Sequence, residues 1–176
     1  MSSATTFNGD ILLSAKAPSG SLYVLLADFT GHGLPAAVGT LPMSQMFFES
    51  VDQCIAVTDL ARKLNRALEN FLPDEMFAAT TILELNKLGT RVTIWTGGLP
   101  DLLICREDGT LKKRVKSQHL ALGIAKDQDF NDQVLIHQLK PDERLYIYSD
   151  GLIEAKNKQE ERFGIERLIE HFQPNS

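Results

Sequence analysis

The chain has 176 residues, of which 43% are apolar, and its 18 Lys and Arg against 23 Asp and Glu leave a net charge of −5. That is the make-up of an ordinary globular domain, and an acidic chain without a long basic run speaks against nucleic acid as the main partner and against a polybasic membrane anchor. No apolar run approaches the roughly 18–20 residues that span a bilayer, and residues 1–8 lack the basic and apolar regions of a secretory signal, so a cytoplasmic protein is expected.

In chain order, a strand is expected over residues 11–17 and a second over 21–28, joined by Pro18, Ser19 and Gly20 as a hairpin. Pro35 suits the first position of a helix that runs to about Cys54 and is broken or kinked at Pro42. Residues 58–72 give the clearest helix. Leu60, Ala61, Leu64, Ala67, Leu68 and Phe71 share one face, Thr58 or Asp59 can cap it, and Pro73 stops it. Hairpin-linked strands follow over 79–85, 91–96, 102–106, 111–115, 134–139 and 144–149, each with apolar, β-branched or aromatic content. A last helix starts near Phe163 and Gly164 and carries Ile165, Leu168, Ile169 and Phe172 on one stripe. This order predicts an α+β fold with two antiparallel β-sheets packed as a sandwich and helices outside.

Cys54 and Cys105 stand far apart without metal-ligand spacing, which removes sulfur-bound zinc. Two buried thiols are expected, although sequence leaves a disulfide open. His119, His137 and His171 read as surface or structural residues. Lys112, Lys113, Arg114 and Lys116 form a short basic patch, read as a solvated face with docking of an acidic partner as the sharper alternative.

Three aspartates each stand at a strand end beside glycine: Asp10 in Asn8-Gly9-Asp10, Asp28 before Phe29-Thr30-Gly31-His32-Gly33, and Asp150 in Tyr148-Ser149-Asp150-Gly151. A three-residue loop at Pro18, Ser19 and Gly20 places Asp10 directly opposite Asp28, on the same side of the sheet. Two carboxylates that close repel unless a cation lies between them or one takes a proton. Asp-Gly is also an ordinary turn pair, and Asp108-Gly109 is assigned to a turn.

Taken together and in order, N-G-D, D-x-x-G-H-G-x-x-A-A and Y-S-D-G-L-x-E-A with F-G-x-E-R-L downstream resemble the SpoIIE-like branch of the metal-dependent (PPM, type 2C) serine/threonine protein phosphatases. Residues 78–85, Thr96-Gly97-Gly98-Leu99-Pro100 and Leu122-Gly123 agree with it. The resemblance implies a two-metal site for Mn2+ or Mg2+, hard cations that oxygen ligands select. In it Asp28 bridges both ions, Asp10 completes one shell partly through water, Asp150 holds the second ion and the backbone carbonyl of Phe29 adds a ligand. It implies in-line attack of an activated water on phosphorus. His32 is read either as a general acid to the leaving seryl oxygen or as a helix-start residue that packs locally. The implied substrate is a phosphorylated anti-sigma-factor antagonist of the STAS type in bacterial partner switching. An N-terminal sensor or receiver domain is implied in a larger parent protein.

Two departures qualify the resemblance. The family commonly carries G-G-D with another acidic residue three positions on, where this chain has Asn8-Gly9-Asp10 and Leu13. The family's closing D-D-x-T-like segment and strand are also absent before Ser176. One C-terminally truncated domain over residues 1–176 is therefore expected, with an incomplete second metal site, poor activity, and a free sheet edge that invites a homodimer. The alternative is a phosphatase-fold binding or scaffold module without turnover. A two-metal nuclease or small-molecule phosphohydrolase is disfavoured by the acidic surface and the motifs.

Overall fold

The computed structural model describes residues 9–30, 34–73 and 76–173, with backbone alone for 34–38. Strands β1 (Asp10–Lys16) and β2 (Leu22–Phe29) form the first hairpin. Its loop closes as the sequence predicts: Ala17 N–H donates to the Ser21 carbonyl, and Gly20 takes the left-handed φ of +90° that glycine tolerates best. Helices α1 (Leu34–Asp52) and α2 (Val57–Phe71) follow, then β3 (Ala78–Leu85), β4 (Arg91–Gly97), β5 (Leu102–Arg106) and β6 (Leu111–Val115). A 3-10 turn at Asp127–Asp129 leads to β7 (Leu135–Gln138) and β8 (Glu143–Tyr146), and helices α3 (Asp150–Glu154) and α4 (Gly164–Phe172) end the described chain.

The strands build an antiparallel five-stranded sheet in the order β1-β2-β3-β4-β7 and an antiparallel three-stranded sheet in the order β6-β5-β8. Strand alternation sorts the side chains into layers. Tyr23, Leu25, Ala27 and Phe29 of β2 face α1 and α2, where they meet Met43, Phe47, Leu60, Leu64 and Leu68. Between the sheets lie Leu83, Val92, Ile94, Leu102, Ile104 and Val115. Outside the smaller sheet, Leu103, Cys105 and Tyr148 pack on Leu168 and Ile169 of α4. Each fully buried Leu or Phe stabilises the fold by roughly 1.5–3 kcal/mol. The result is the expected α+β sandwich with helices outside.

Four details differ from the sequence reading. Strands β7 and β8 do not form a hairpin: β7 pairs with β4, and β8 pairs with β5 in the other sheet. The chain crosses between sheets because Leu145 and Ile147 pack into the inter-sheet core, while Glu143 is held by Lys112 and His137. Helix α1 is not broken at Pro42, the break being the part of that expectation the structure overturns, since Met43 and Phe47 bury completely against the sheet and offset one missing backbone donor. Neither Thr58 nor Asp59 caps α2; Ala56 is its cap residue and makes no side-chain bond, and Asp59 sits in the first turn, where its charge suits the helix dipole. Both cysteines are free, but only Cys105 is buried; Cys54 is exposed just after α1 with φ of +54°. Among the described residues no helix is long and apolar enough to cross a membrane.

Several smaller expectations hold. Asp108 belongs to a turn and accepts the Thr110 N–H at 2.8 Å, which holds its carboxyl below the usual range. His137 pairs with Glu143, and His119 stacks on Trp95 and contacts the Gln133 carbonyl. In the basic patch, Lys112 pairs with Glu143 and Arg114 with Glu166, so two of its four charges are satisfied within the chain.

Candidate functional site

Asp10 opens β1 and Asp28 is the penultimate residue of β2; the register sets the two directly opposite each other. Both lie on the face of the sheet away from α1 and α2, because the alternate residues Ile11 and Leu13, and Ala27 and Phe29, pack toward those helices. Asp150 arrives from the other sheet. Strand β8 stops at Tyr146, three residues earlier than the sequence suggests, and Asp150 is the first residue of α3.

The three carboxylates converge on Asp28. Burial, then the charge of Asp10, then the charge of Asp150 push the Asp28 carboxyl up from 3.8 to about 6, and Asp150 lies close enough to share a hydrogen bond with it. Every one of these influences disfavours the charged form, and among the described residues none is a cation. Asp10 and Asp150 are exposed, so the cluster opens at the surface. Ser149 links the two sheets here, donating its hydroxyl to Asp10 Oδ2 at 3.1 Å.

The backbone around Asp28 is held from two sides. Phe29 N–H donates to the Gly9 carbonyl at 3.1 Å, and a side chain at Gly9 would begin only 2.6 Å from the Phe29 carbonyl oxygen and 3.4 Å from Asp28 Oδ1. Glycine is therefore needed in N-G-D for close approach. On the other side, the Thr30 N–H donates to the Phe77 carbonyl at 2.9 Å, and the Phe77 N–H donates to Thr30 Oγ1 at 2.9 Å. His32, with Gly31 and Gly33, lies outside the described residues.

The donors fit a hard divalent cation in kind: carboxylate oxygens from Asp10, Asp28 and Asp150 and the Phe29 carbonyl beside Asp28, all of them oxygen. Their mutual repulsion is what a bound cation would relieve. They are not drawn into a closed cage, however; among the described residues no group of three or more His, Cys, Asp or Glu is gathered closely enough to hold an ion. A cleft of about 530 Å3 between α1 and α2, lined by residues including Met46, Ile55, Asp59, Arg62 and Arg66, contains none of Asp10, Asp28 and Asp150.

Sequence reasoning weighed Asp10, Asp28 and Asp150 but passed over their supports. Gly9 was visible only as part of N-G-D, and Ser149 only as the residue before Asp150. The Thr30–Phe77 pair is 47 positions apart and left no signal in spacing.

The family model of Stage II sporulation protein E (SpoIIE) matches residues 18–176, most of the chain. The chain belongs to the SpoIIE family. It is thereby placed in the SpoIIE-like branch of the PPM phosphatases. It is 26% identical to the phosphoserine phosphatase RsbU of Bacillus subtilis (strain 168), over 92% of this chain and 51% of RsbU. The structure of the PP2C phosphatase domain and a fragment of the regulatory domain of the cell fate determinant SpoIIE from Bacillus subtilis superposes with a TM-score of 0.76 at 16% identity, over 99% of this chain and 48% of that one. RsbX in complex with magnesium superposes with a TM-score of 0.65 at 15% identity, over 96% of this chain and 80% of that one. At such identities the structures speak for the fold, which they share with this SpoIIE-family chain. The chain spans about half the length of RsbU.

Proposed function

We propose that this chain is a metal-dependent phosphoserine/phosphothreonine protein phosphatase. The observation that carries the reading is the convergence of Asp10, Asp28 and Asp150 on one acidic point at the junction of the two sheets, where no described residue supplies a balancing cation. Kinship with RsbU, a phosphoserine phosphatase, supports the substrate chemistry.

In this reading Asp28, Asp10, Asp150 and the Phe29 carbonyl hold Mg2+ or Mn2+. When bound, such ions would neutralise phosphate oxygens and supply an activated water for attack on phosphorus. The residues of the chain do the rest. Asp28, between the two other carboxylates, keeps negative charge at the centre, and the Gly9–Phe29 contact fixes the backbone that carries it. His32 is placed by sequence near Asp28, where an imidazolium would protonate the departing seryl oxygen. The exposed positions of Asp10 and Asp150 suit a phosphate presented on another protein's surface rather than a small molecule enclosed in a cavity.

The proposed substrate is a phosphorylated STAS-type anti-sigma-factor antagonist, in keeping with the likeness to RsbU. The regulatory-domain fragment beside the PP2C domain of SpoIIE supports a sensor or receiver region in the parent of this chain.

The test is phosphate release from a phosphoserine-bearing protein in millimolar Mn2+. Slow release that chelator and Asp28→Asn both abolish is expected. Release that survives both would overturn the reading. A scaffold role is favoured by one observation, the lack of a closed group of three acidic or imidazole side chains among the described residues. No release, together with partner binding undiminished in chelator, would decide for it.

A further inference from the structure

Ser149 is the cap residue of α3, with φ −85° and ψ 167°. These are ordinary angles for that position, where a serine normally turns its hydroxyl back onto the second or third N–H of its own helix. Ser149 makes no such bond. Its backbone carbonyl accepts the Leu152 N–H at 3.3 Å, while its hydroxyl donates to Asp10 Oδ2 at 3.1 Å, across 139 positions of sequence. The local partner has been given up for a distant one.

The distant partner needs holding. Asp10 opens β1, which among the described strands lies at the edge of its sheet and pairs only with β2. The residue opposite is another carboxylate, Asp28, whose charge repels it. An exposed carboxylate at a strand end has several rotamers, and repulsion favours those that swing away. A hydrogen bond to Oδ2 fixes one of them. The same bond ties the corner that carries Asp150, the next residue, to the strand that carries Asp10.

We propose that Ser149 is a positioning residue of the acidic site: its hydroxyl holds the Asp10 carboxylate against Asp28 and locks the Asp150 corner to β1. The contact joins two side chains of the chain itself, and its consequence for ion binding rests on the phosphatase reading above. Threonine at 149 keeps the hydroxyl and preserves the function, whereas alanine loses it.

Two measurements test this. The first is a double-mutant cycle on urea unfolding in EDTA with Ser149→Ala, Asp10→Ala and the pair. Removing the hydroxyl should shift the unfolding constant by about three- to tenfold in the parent chain and hardly at all when Asp10 is already alanine. Equal losses in both backgrounds would mean that Ser149 serves only its own helix, and would overturn the proposal. The second is calorimetric titration with Mn2+ alone. Ser149→Ala should bind about tenfold more weakly, and Ser149→Thr should recover most of the loss. Undiminished binding by Ser149→Ala overturns the positioning role. If the parent chain binds no Mn2+ at millimolar concentration, the phosphatase reading fails and takes the metal-positioning role with it, while the cycle in EDTA still decides whether Ser149 holds Asp10.

Discussion

Replacing Asp28 by asparagine should make the metal-free protein more stable. The Asp28 carboxyl is pushed up from 3.8 to about 6, first by burial and then by Asp10 and Asp150. A carboxyl whose folded value lies above its unfolded value favours folding most below about pH 4, and that contribution is lost as pH rises through about 6. At pH 7 the ionised side chain is therefore a net cost to the fold. A shift of this size corresponds to about 3 kcal/mol for a fully enclosed group, and solvent at this half-buried position reduces it to about 1 kcal/mol. Asparagine has nearly the same shape and carries no charge. In EDTA at pH 7, Asp28→Asn should raise Tm by about 2–4 °C, and the gain should vanish near pH 4. Mn2+ should reverse the order, since an ion at a hundredfold excess over Kd stabilises the parent chain by about 2.7 kcal/mol and has no site in the variant. Calorimetric melting with and without Mn2+ reads both effects. A variant less stable than the parent in EDTA, or stabilised equally by Mn2+, would refute the reasoning.

Other perturbations have defined outcomes. Glu143 is buried, and its carboxyl is held down to about 2 by Lys112 first, with His137 and the Lys140 N–H assisting against burial. Its contribution is present above about 4.5 and lost as pH falls toward 2, so Glu143→Gln should flatten stability across that window in urea titrations and cost about 1–3 kcal/mol at pH 7. Gly9→Ala places a carbon 2.6 Å from the Phe29 carbonyl and should cost about 1–3 kcal/mol in urea unfolding while weakening Mn2+ binding by calorimetry. Asn65, fully buried on α2, donates to the Ala125 carbonyl at 2.8 Å and accepts the Gly123 N–H at 2.9 Å. Asn65→Ala should cost about 2–3 kcal/mol and speed amide exchange at Gly123 without altering Mn2+ affinity.

Local pattern carried much of this fold into view. The period of α2 is plain because its apolar stripe faces one core, and the three-residue turn between β1 and β2 fixed a register that set Asp10 opposite Asp28. Long-range choices were hidden. Alternation marks 134–139 and 144–149 as strands but does not say that β7 joins one sheet and β8 the other, since that depends on Leu145 finding the inter-sheet core. Pro42 reads as a helix breaker until Met43 and Phe47 are seen buried beside it. The acidic residues of the candidate site stood out because N-G-D, D-x-x-G-H-G and Y-S-D-G follow one another in chain order. Their supports did not, because Gly9 acts through the absence of a side chain and Ser149 through a partner 139 positions away.

Anomalous diffraction from crystals grown in manganese tests the central claim most directly. The account predicts a Mn2+ peak in contact with Asp28 and with at least one of Asp10 and Asp150, with Phe29 lending its carbonyl. Crystals that hold manganese elsewhere, or nowhere, with the three carboxylates turned apart, would contradict it.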